Sequence, residues 1–501
     1  MGGFMFKTLL ARIRQVMYRM GLIKGIKKLA DHKDIQVSEE LYQQIDIWKA
    51  LYKGYYNEWH DVEYKTISGT KKRRMATLNM PKVVAQELAT LVFNEKCEIS
   101  ISDKSLAEEI ENVFKANSFY KKFQGYLEYN FALGGMVIKP YVENEKIKLS
   151  YVTADCFIPL AWDNHGINEA VFVNEFKKRD KKYTHLEWHL WEGDQYVIKN
   201  EVYESTNSED LGVKVSLKAF FPTLEEEVRI SGFKRSSFVY FKPNTANNID
   251  TTSPLGISVF ANALDTLHSL DIAFDSYQRE FRLGKKRILV PASAIKAVVD
   301  PQTGDINRYF DANDEVYEAF NFDQDSNEIK DISVALRVEE HIDAINSLLN
   351  ILAMQIGFSA GSFTFDGTGV KTATEVVSEN SKTFRTKQGH ETIIEAGLQE
   401  LIEVIVQVAE LYGIFMGPEN YEVTVTFDDS IAEDQTAEIN KQIQLVSNGL
   451  TSKKKAIMKI HGLTEEEAER LLKEIREEQQ TATVEAIDFF GMNRNNKQDD
   501  E

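Results

Sequence analysis

The sequence predicts an α+β fold built from more than one compact unit. Two patterns predict it. Helical periodicity dominates both ends of the chain, whereas period-two alternation fills the stretch from about residue 134 to 243. The two patterns are segregated along the chain instead of alternating, which separates α+β from α/β architectures. A length of 501 residues leaves room for about two to four domains. With 43% hydrophobic and 11% aromatic residues the chain can build real cores, which excludes wholesale disorder.

The first thirty residues, MGGFMFKTLLARIRQVMYRMGLIKGIKKLA, carry seven Lys/Arg and no acid, with apolar residues at helical spacing. Arg12 and Arg14 interrupt the apolar run, which is too short for a signal peptide. Phe6 stands where a myristoylation signal needs Ser or Thr. A basic amphipathic helix can lie on a membrane or on nucleic acid. The plainer expectation is an arm docked on an acidic neighbour or another subunit. Helices are expected over 36–60, 81–96 and near 105–133. Pro81 sits where a first turn tolerates it, and Val84, Leu88, Leu91 and Val92 share one face. Three hairpins follow, turning at Glu143–Glu145, Asp163–Gly166 and Glu192–Asp194, so 134–243 reads as one antiparallel meander.

From Pro254 the character changes. Leu264, Leu267, Leu270, Phe274, Tyr277 and Phe281 recur at three- and four-residue spacing, predicting a helix near 255–284. Arg279, Arg282, Lys285, Lys286 and Arg287 gather around Gly284, cations well placed for a helix C-terminus. A small module over 286–336, with strand-like RILVP and EVYEAFNF, holds nine acids between Asp305 and Asp331 against Arg308 and Lys330. A second helix is expected over 337–357, then the loop FSAGSFTFDGTGVK. The proline-free stretch after it could be one helix of roughly forty residues, about 60 Å long, with bends expected at Gly389 and Gly397. A strand at 421–427 and two helices complete the reading, the last starting in a Thr464/Glu467 capping box. The tail, 479–501, is expected to fray.

The chemistry-bearing patterns are weak. In the loop, Val370 separates Gly369 from Lys371, and Thr364 occupies the position where a phosphate-binding loop needs its first glycine. His185 and His189 flank Glu187 in a strand, so they lie roughly 13 Å apart, too far to share a metal; an exposed polar strand face is expected. Asp428 and Asp429 after a strand are explained equally well by a turn. Cys97 and Cys156 form no metal motif and no disulfide framework, which matches a chain folded in a reducing cytoplasm. No apolar run is long enough to span a bilayer, and no cofactor motif occurs. An enzyme reading would need a nucleotide hydrolase at 361–372 or a metal nuclease at Asp428–Asp429. Net charge is −19; with +7 in the first thirty residues the remainder carries −26. That balance excludes a general DNA-gripping protein, whose affinity comes from neutralised phosphates, but not a wall past which DNA slides.

A helix leading out to a small module, a helix returning, a loop and a very long helix form a distinctive order. Together with QIGFSAGSFTFDGTGVKTATEVVSENSKTFRT at 355–386, it resembles the portal proteins of tailed bacteriophages, in particular the roughly 500-residue portals of long-tailed phages of Gram-positive bacteria. The resemblance is most specific over 255–412 and weakest over 1–60 and the C-terminal tail. It implies a portal fold: 1–254 an N-terminal arm and mixed α/β wing, 255–285 and 337–358 two stem helices, and 286–336 a clip. It further implies a tunnel loop at 359–371, a long wing helix and strand at 372–427, and a helical crown at 428–501. The implied assembly is a homo-oligomeric ring, typically of about twelve subunits, at one capsid vertex of the virion, put together in the host cytoplasm. Double-stranded DNA would be packaged and ejected through it. The implied partners are the terminase large subunit, then a head–tail adaptor, with the major capsid and scaffold proteins around the ring. No catalysis, metal, cofactor or membrane is implied.

On this resemblance Ser359, Gly361, Ser362, Thr364, Asp366, Gly367, Thr368, Gly369 and Lys371 would face DNA, the glycines supplying backbone freedom and the rest near-neutral polar contact. The basic cluster 279–287 would lie where stem meets clip. Apolar residues on more than one side of the long helix suggest a ring interface, for which Leu401, Ile405 and Val408 are the candidates.

Overall fold

A computed structural model describes residues 39–66, 69–205, 212–285, 288–291, 298–299, 306–307, 317–320, 330–331, 333–365, 373–427, 435–461, 463 and 468–475. The basic arm, Lys286, Arg287, residues 366–372, Asp428, Asp429, the Thr464/Glu467 box and the tail lie outside the described residues. Two compact units are present: one within Met1–Gly369 and Lys382–Asp428, the other within Val370–Ser381 and Asp429–Glu501.

Helix α1 (Glu39–Tyr52) ends where Gly54 takes φ +75°, and a short α2 (Asn57–His60) follows. The single helix expected over 36–60 is therefore broken, because a left-handed glycine cannot continue it. A hairpin absent from the sequence expectation comes next: β1 (Asp61–Thr66) pairs with β2 (Gly69–Arg74) as a sheet of two strands. Helix α3 (Met80–Val92) buries Val84, Leu88 and Val92, with Pro81 in its first turn as expected. After β3 (Glu98–Ile101), the helix expected near 105–133 is two helices. Helix α4 (Lys104–Asn117), capped by Asp103 accepting the Leu106 N–H at 2.8 Å, stops at left-handed Ser118, and α5 (Phe119–Leu133) starts there.

The strand region bears out all three expected turns but forms two sheets instead of one meander. In the first, β4 (Met136–Glu143) and β5 (Lys146–Thr153) turn through left-handed Asn144 and Glu145. The second carries β6 (Phe157–Trp162), β7 (Ile167–Lys178), β8 (Lys181–Glu192), β9 (Gln195–Ser205), β10 (Val213–Val215) and β11 (Glu227–Ser231). Strand β12 (Val239–Phe241) returns to pair with β4, closing the smaller sheet. Asn117 locks α4 to β5, donating to the Ile147 carbonyl at 2.9 Å and accepting the Leu149 N–H at 3.0 Å.

Helix α6 (Leu264–Leu283) leads to short strands β13 (Ile288–Pro291), β14 (Val298–Val299), β15 (Ile306–Asn307), β16 (Tyr317–Phe320) and β17 (Lys330–Asp331). Strand β13 pairs parallel with β16 and antiparallel with β17. Helix α7 (Val338–Ile356) returns. Helix α8 (Ala373–Leu411) is 39 residues long and unbroken. Gly389 and Gly397 are close-approach positions within it: an added Cβ would meet Asn244 Nδ2 at 2.4 Å and the Phe241 ring at 2.5 Å. Strand β18 (Val423–Thr426) pairs with β3. One core runs from α1 through α3–α5, the sheets, α6 and α7 to Ile394–Ala409 of α8. In the second unit, α9 (Gln435–Ser447) and α10 (Lys453–His461) precede a helical stretch at 468–475, tied to α10 by Lys454–Glu469 at 2.5 Å.

Candidate functional site

The out-and-back pair α6/α7 is antiparallel: the far end of α6 meets the near end of α7. There the Glu280 carboxylate accepts from the Arg337 backbone N–H at 3.2 Å and from its guanidinium at 2.9 Å. That guanidinium pushes the Glu280 carboxyl down to about 2. Gly284 closes α6, its N–H donating to the Glu280 carbonyl at 2.8 Å, and a Cβ there would lie 2.2 Å from Leu336. Tyr277 packs edge-on to Phe281 and His341. Arg279, Arg282 and Lys285 are exposed along this end of α6.

Where α7 ends, the chain enters the loop through Gly357 at φ +89°. Thr386 of α8 donates to the Gly357 carbonyl at 2.7 Å and would clash with any Cβ there at 2.5 Å. The next residues are fastened. The Ser359 N–H donates to Thr383 Oγ1 at 2.9 Å, and the Gly361 and Phe365 N–H groups donate at 2.8 Å to the side-chain carbonyls of Asn350 and Asn346. Phe365 packs against Tyr277 with ring centres 5.4 Å apart, and Phe363 against Phe358 at 5.3 Å. Gly361 is left-handed at φ +80°, which suits a glycine.

Ser359, expected to offer polar contact to DNA, is 4% exposed and bonded to Thr383, so it belongs to the anchor of the loop. Gly361, Ser362 and Thr364 are exposed. The segment entering the loop is helix α7, not the strand that a phosphate-binding loop requires. Asn346, Asn350, Thr383 and Thr386 were missed by sequence reasoning. The two asparagines, four apart in a helix that disfavours them, were the available signal.

Beneath the anchor α8 carries a buried polar seam. Lys387 is fully buried and paired with Glu391 at 2.5 Å, and His390 accepts the Asn244 N–H at 3.0 Å. Leu401 and Ile405 are 0% exposed, Val408 is buried, and the first two belong to the main core. All three side chains are packed within the chain itself, so none of them is offered on the surface of a single copy. The expected exposed histidine face is also corrected. His185 bonds Asn200 at 3.0 Å, and His189 sits between Tyr196 at 2.7 Å and Glu187 at 2.9 Å, both rings buried. Burial lowers both imidazole pKa values, and strand β8 is covered on both faces. No group of three or more metal-ligating side chains occurs among the described residues.

No curated protein sequence matches the chain. A family model described as "Phage portal protein, SPP1 Gp6-like" matches residues 31–481, nearly the whole chain and every element above. On that match the chain belongs to the phage portal proteins, a structural family whose members form rings in the virion and act with capsid and DNA.

Proposed function

We propose that this chain is one subunit of a ring of about twelve copies at a single capsid vertex, through which double-stranded DNA is packaged and later ejected. Helices α6 and α7 serve as the stem, residues 286–336 as the clip, and 359–371 as the loop that meets DNA. Residues 1–254 and 372–427 build the wing, and residues from 428 onward the crown. The terminase large subunit and then a head–tail adaptor dock at the clip; major capsid and scaffold proteins surround the ring.

The observation that carries this reading is the fastened base of the loop. Asn346, Asn350, Thr383 and Thr386 hold its first residues between two helices, so its remaining residues start from a rigid frame. The side chains offered at 361, 362 and 364 are neutral, as sliding requires: a loop that gripped phosphate would stall the polymer.

Substituting Lys371→Asp tests the assignment. Rings of normal size, seen by electron microscopy, with a several-fold drop in DNA-filled heads are expected. Unchanged genome yield would remove 359–371 from the channel. Reversing Lys285, Lys286 and Arg287 together should weaken capture of terminase in a pull-down.

A further inference from the structure

The β1–β2 hairpin is exposed on both faces. From Asp61 to Arg74 every described side chain is exposed except half-buried Val62 and Arg73. A lone two-stranded hairpin is marginal in water, so its few attachments matter. Arg73 grips Asp275 of α6 with two hydrogen bonds, at 2.7 and 2.6 Å, and Arg74 donates to the Gly54 carbonyl at 2.8 Å. Those contacts fix the base and leave Lys65, Lys71 and Lys72 outward. Lys72 shares Glu63 at 2.8 Å, while Lys65 and Lys71 make no ion pair among the described residues. An exposed hairpin with a basic balance, on a chain of net charge −19, is complementary to an acidic groove.

The same unit has one. A groove of about 1240 Å³ runs between α8 and residues 417–424, and five glutamates line it against Lys234 and Arg235. Arg235 is already committed to Glu403 at 2.7 Å. Beside the groove, burial pushes the Glu400 carboxyl up against the pull of Arg235. Glu419 and Glu422 are exposed at the rim and make no ion pair among the described residues. The hairpin's contacts and the groove's lining share no residue, so one chain can present both at once. That is the requirement of a head-to-tail ring contact.

We propose that the basic hairpin of one copy docks in the acidic groove of the next copy of this chain. This rests on the ring reading above, and imaging of the unaltered protein tests that reading by itself. If the unaltered chain forms rings, Lys65→Glu/Lys71→Glu/Lys72→Glu should abolish the ring peak in size-exclusion chromatography while leaving the near-UV dichroism and melting transition in place. Adding Glu419→Lys/Glu422→Lys to that variant should restore rings, a rescue that a merely damaged hairpin would not show. Mixing Lys71→Cys chains with Glu422→Cys chains should give an oxidised cross-linked dimer that neither chain forms alone; native Cys97 is buried, and half-buried Cys156 is present in both single-variant controls. Rings that persist in the triple variant would overturn the proposal. So would rings lost but not recovered by the groove reversal, or mixed chains that fail to cross-link.

Discussion

His390 accepts the backbone N–H of Asn244 through Nδ1 and lies edge-on to Phe131, in a site that only a neutral imidazole fits. Burial pushes its pKa down to about 4 from an ordinary 6.5. Between those values the unfolded chain binds a proton that the folded chain refuses, so stability must fall as pH drops from 6.5 towards 4. The stability is fully present above 6.5. At most about 3.5 kcal/mol is at stake, from about 1.4 kcal/mol per unit. Melting curves of the parent and His390→Gln at pH 7 and pH 5 should therefore converge as acid is added, the parent losing more. A parallel response would contradict the buried neutral ring. Ile405 makes the complementary point. Because it is wholly inside the core, Ile405→Asp should cost upward of about 4 kcal/mol and yield aggregates lacking near-UV dichroism. Well-folded monomers would restore it as an interface residue.

At the scale of elements, α6 is bound to the N-terminal segment through two carboxylates. Asp271 accepts from Thr77 Oγ1 at 2.7 Å, the Leu78 N–H at 2.9 Å and His60 Nε2 at 3.2 Å, while Asp275 takes Arg73 and the Ala76 N–H. Burial alone would raise the Asp275 carboxyl, but Arg73 and Ala76 hold it below its usual range. Asp275→Asn should cost about 2 kcal/mol, below the range for fully buried pairs because Arg73 keeps some solvent contact. It should also open the hairpin to proteolysis near its tip before the rest of the chain. Cleavage no faster than in the parent would deny this anchoring role. None of these tertiary bonds was legible in the sequence. What was legible obeyed local rules: the three strand turns, the α6 and α7 periodicity, Pro81 in a first turn. The β1–β2 hairpin escaped because β2, GTKKRR, has no apolar residue and β1 alternates only across Val62 and Tyr64. The helix break at Ser118 escaped because nothing at 117–119 advertises a left-handed residue. The loop was found from its glycines and from resemblance. Its anchors, Asn346 and Asn350 on α7 and Thr383 and Thr386 on α8, stand more than thirty residues apart in the chain and come together only after packing. The burial of Leu401, Ile405 and Val408 inside the chain was not legible either, because an apolar residue pattern cannot distinguish the chain's own core from a neighbour's surface.

At the scale of the molecule the governing quantity is charge. The full chain carries −19, and without its first thirty residues it carries −26. A ring multiplies that deficit around its hole. Docking the hairpin would withdraw Lys65, Lys71 and Lys72 from solution as well, leaving few cations for phosphates. Duplex DNA binding that depends on neutralising Z phosphates weakens with salt at a slope near −0.9Z on logarithmic axes. Rings lacking residues 1–30 should therefore bind a short duplex weakly at every ionic strength, with a slope shallower than about −3. Full-length rings should show a steeper slope, because each arm adds seven cations. The comparison separates tethering from translocation: arms can hold DNA near the vertex while the bore stays non-adhesive. A steep slope that survives removal of the arms would mean that the body of the ring grips phosphate, and a polymer held that way could not be driven through it at speed.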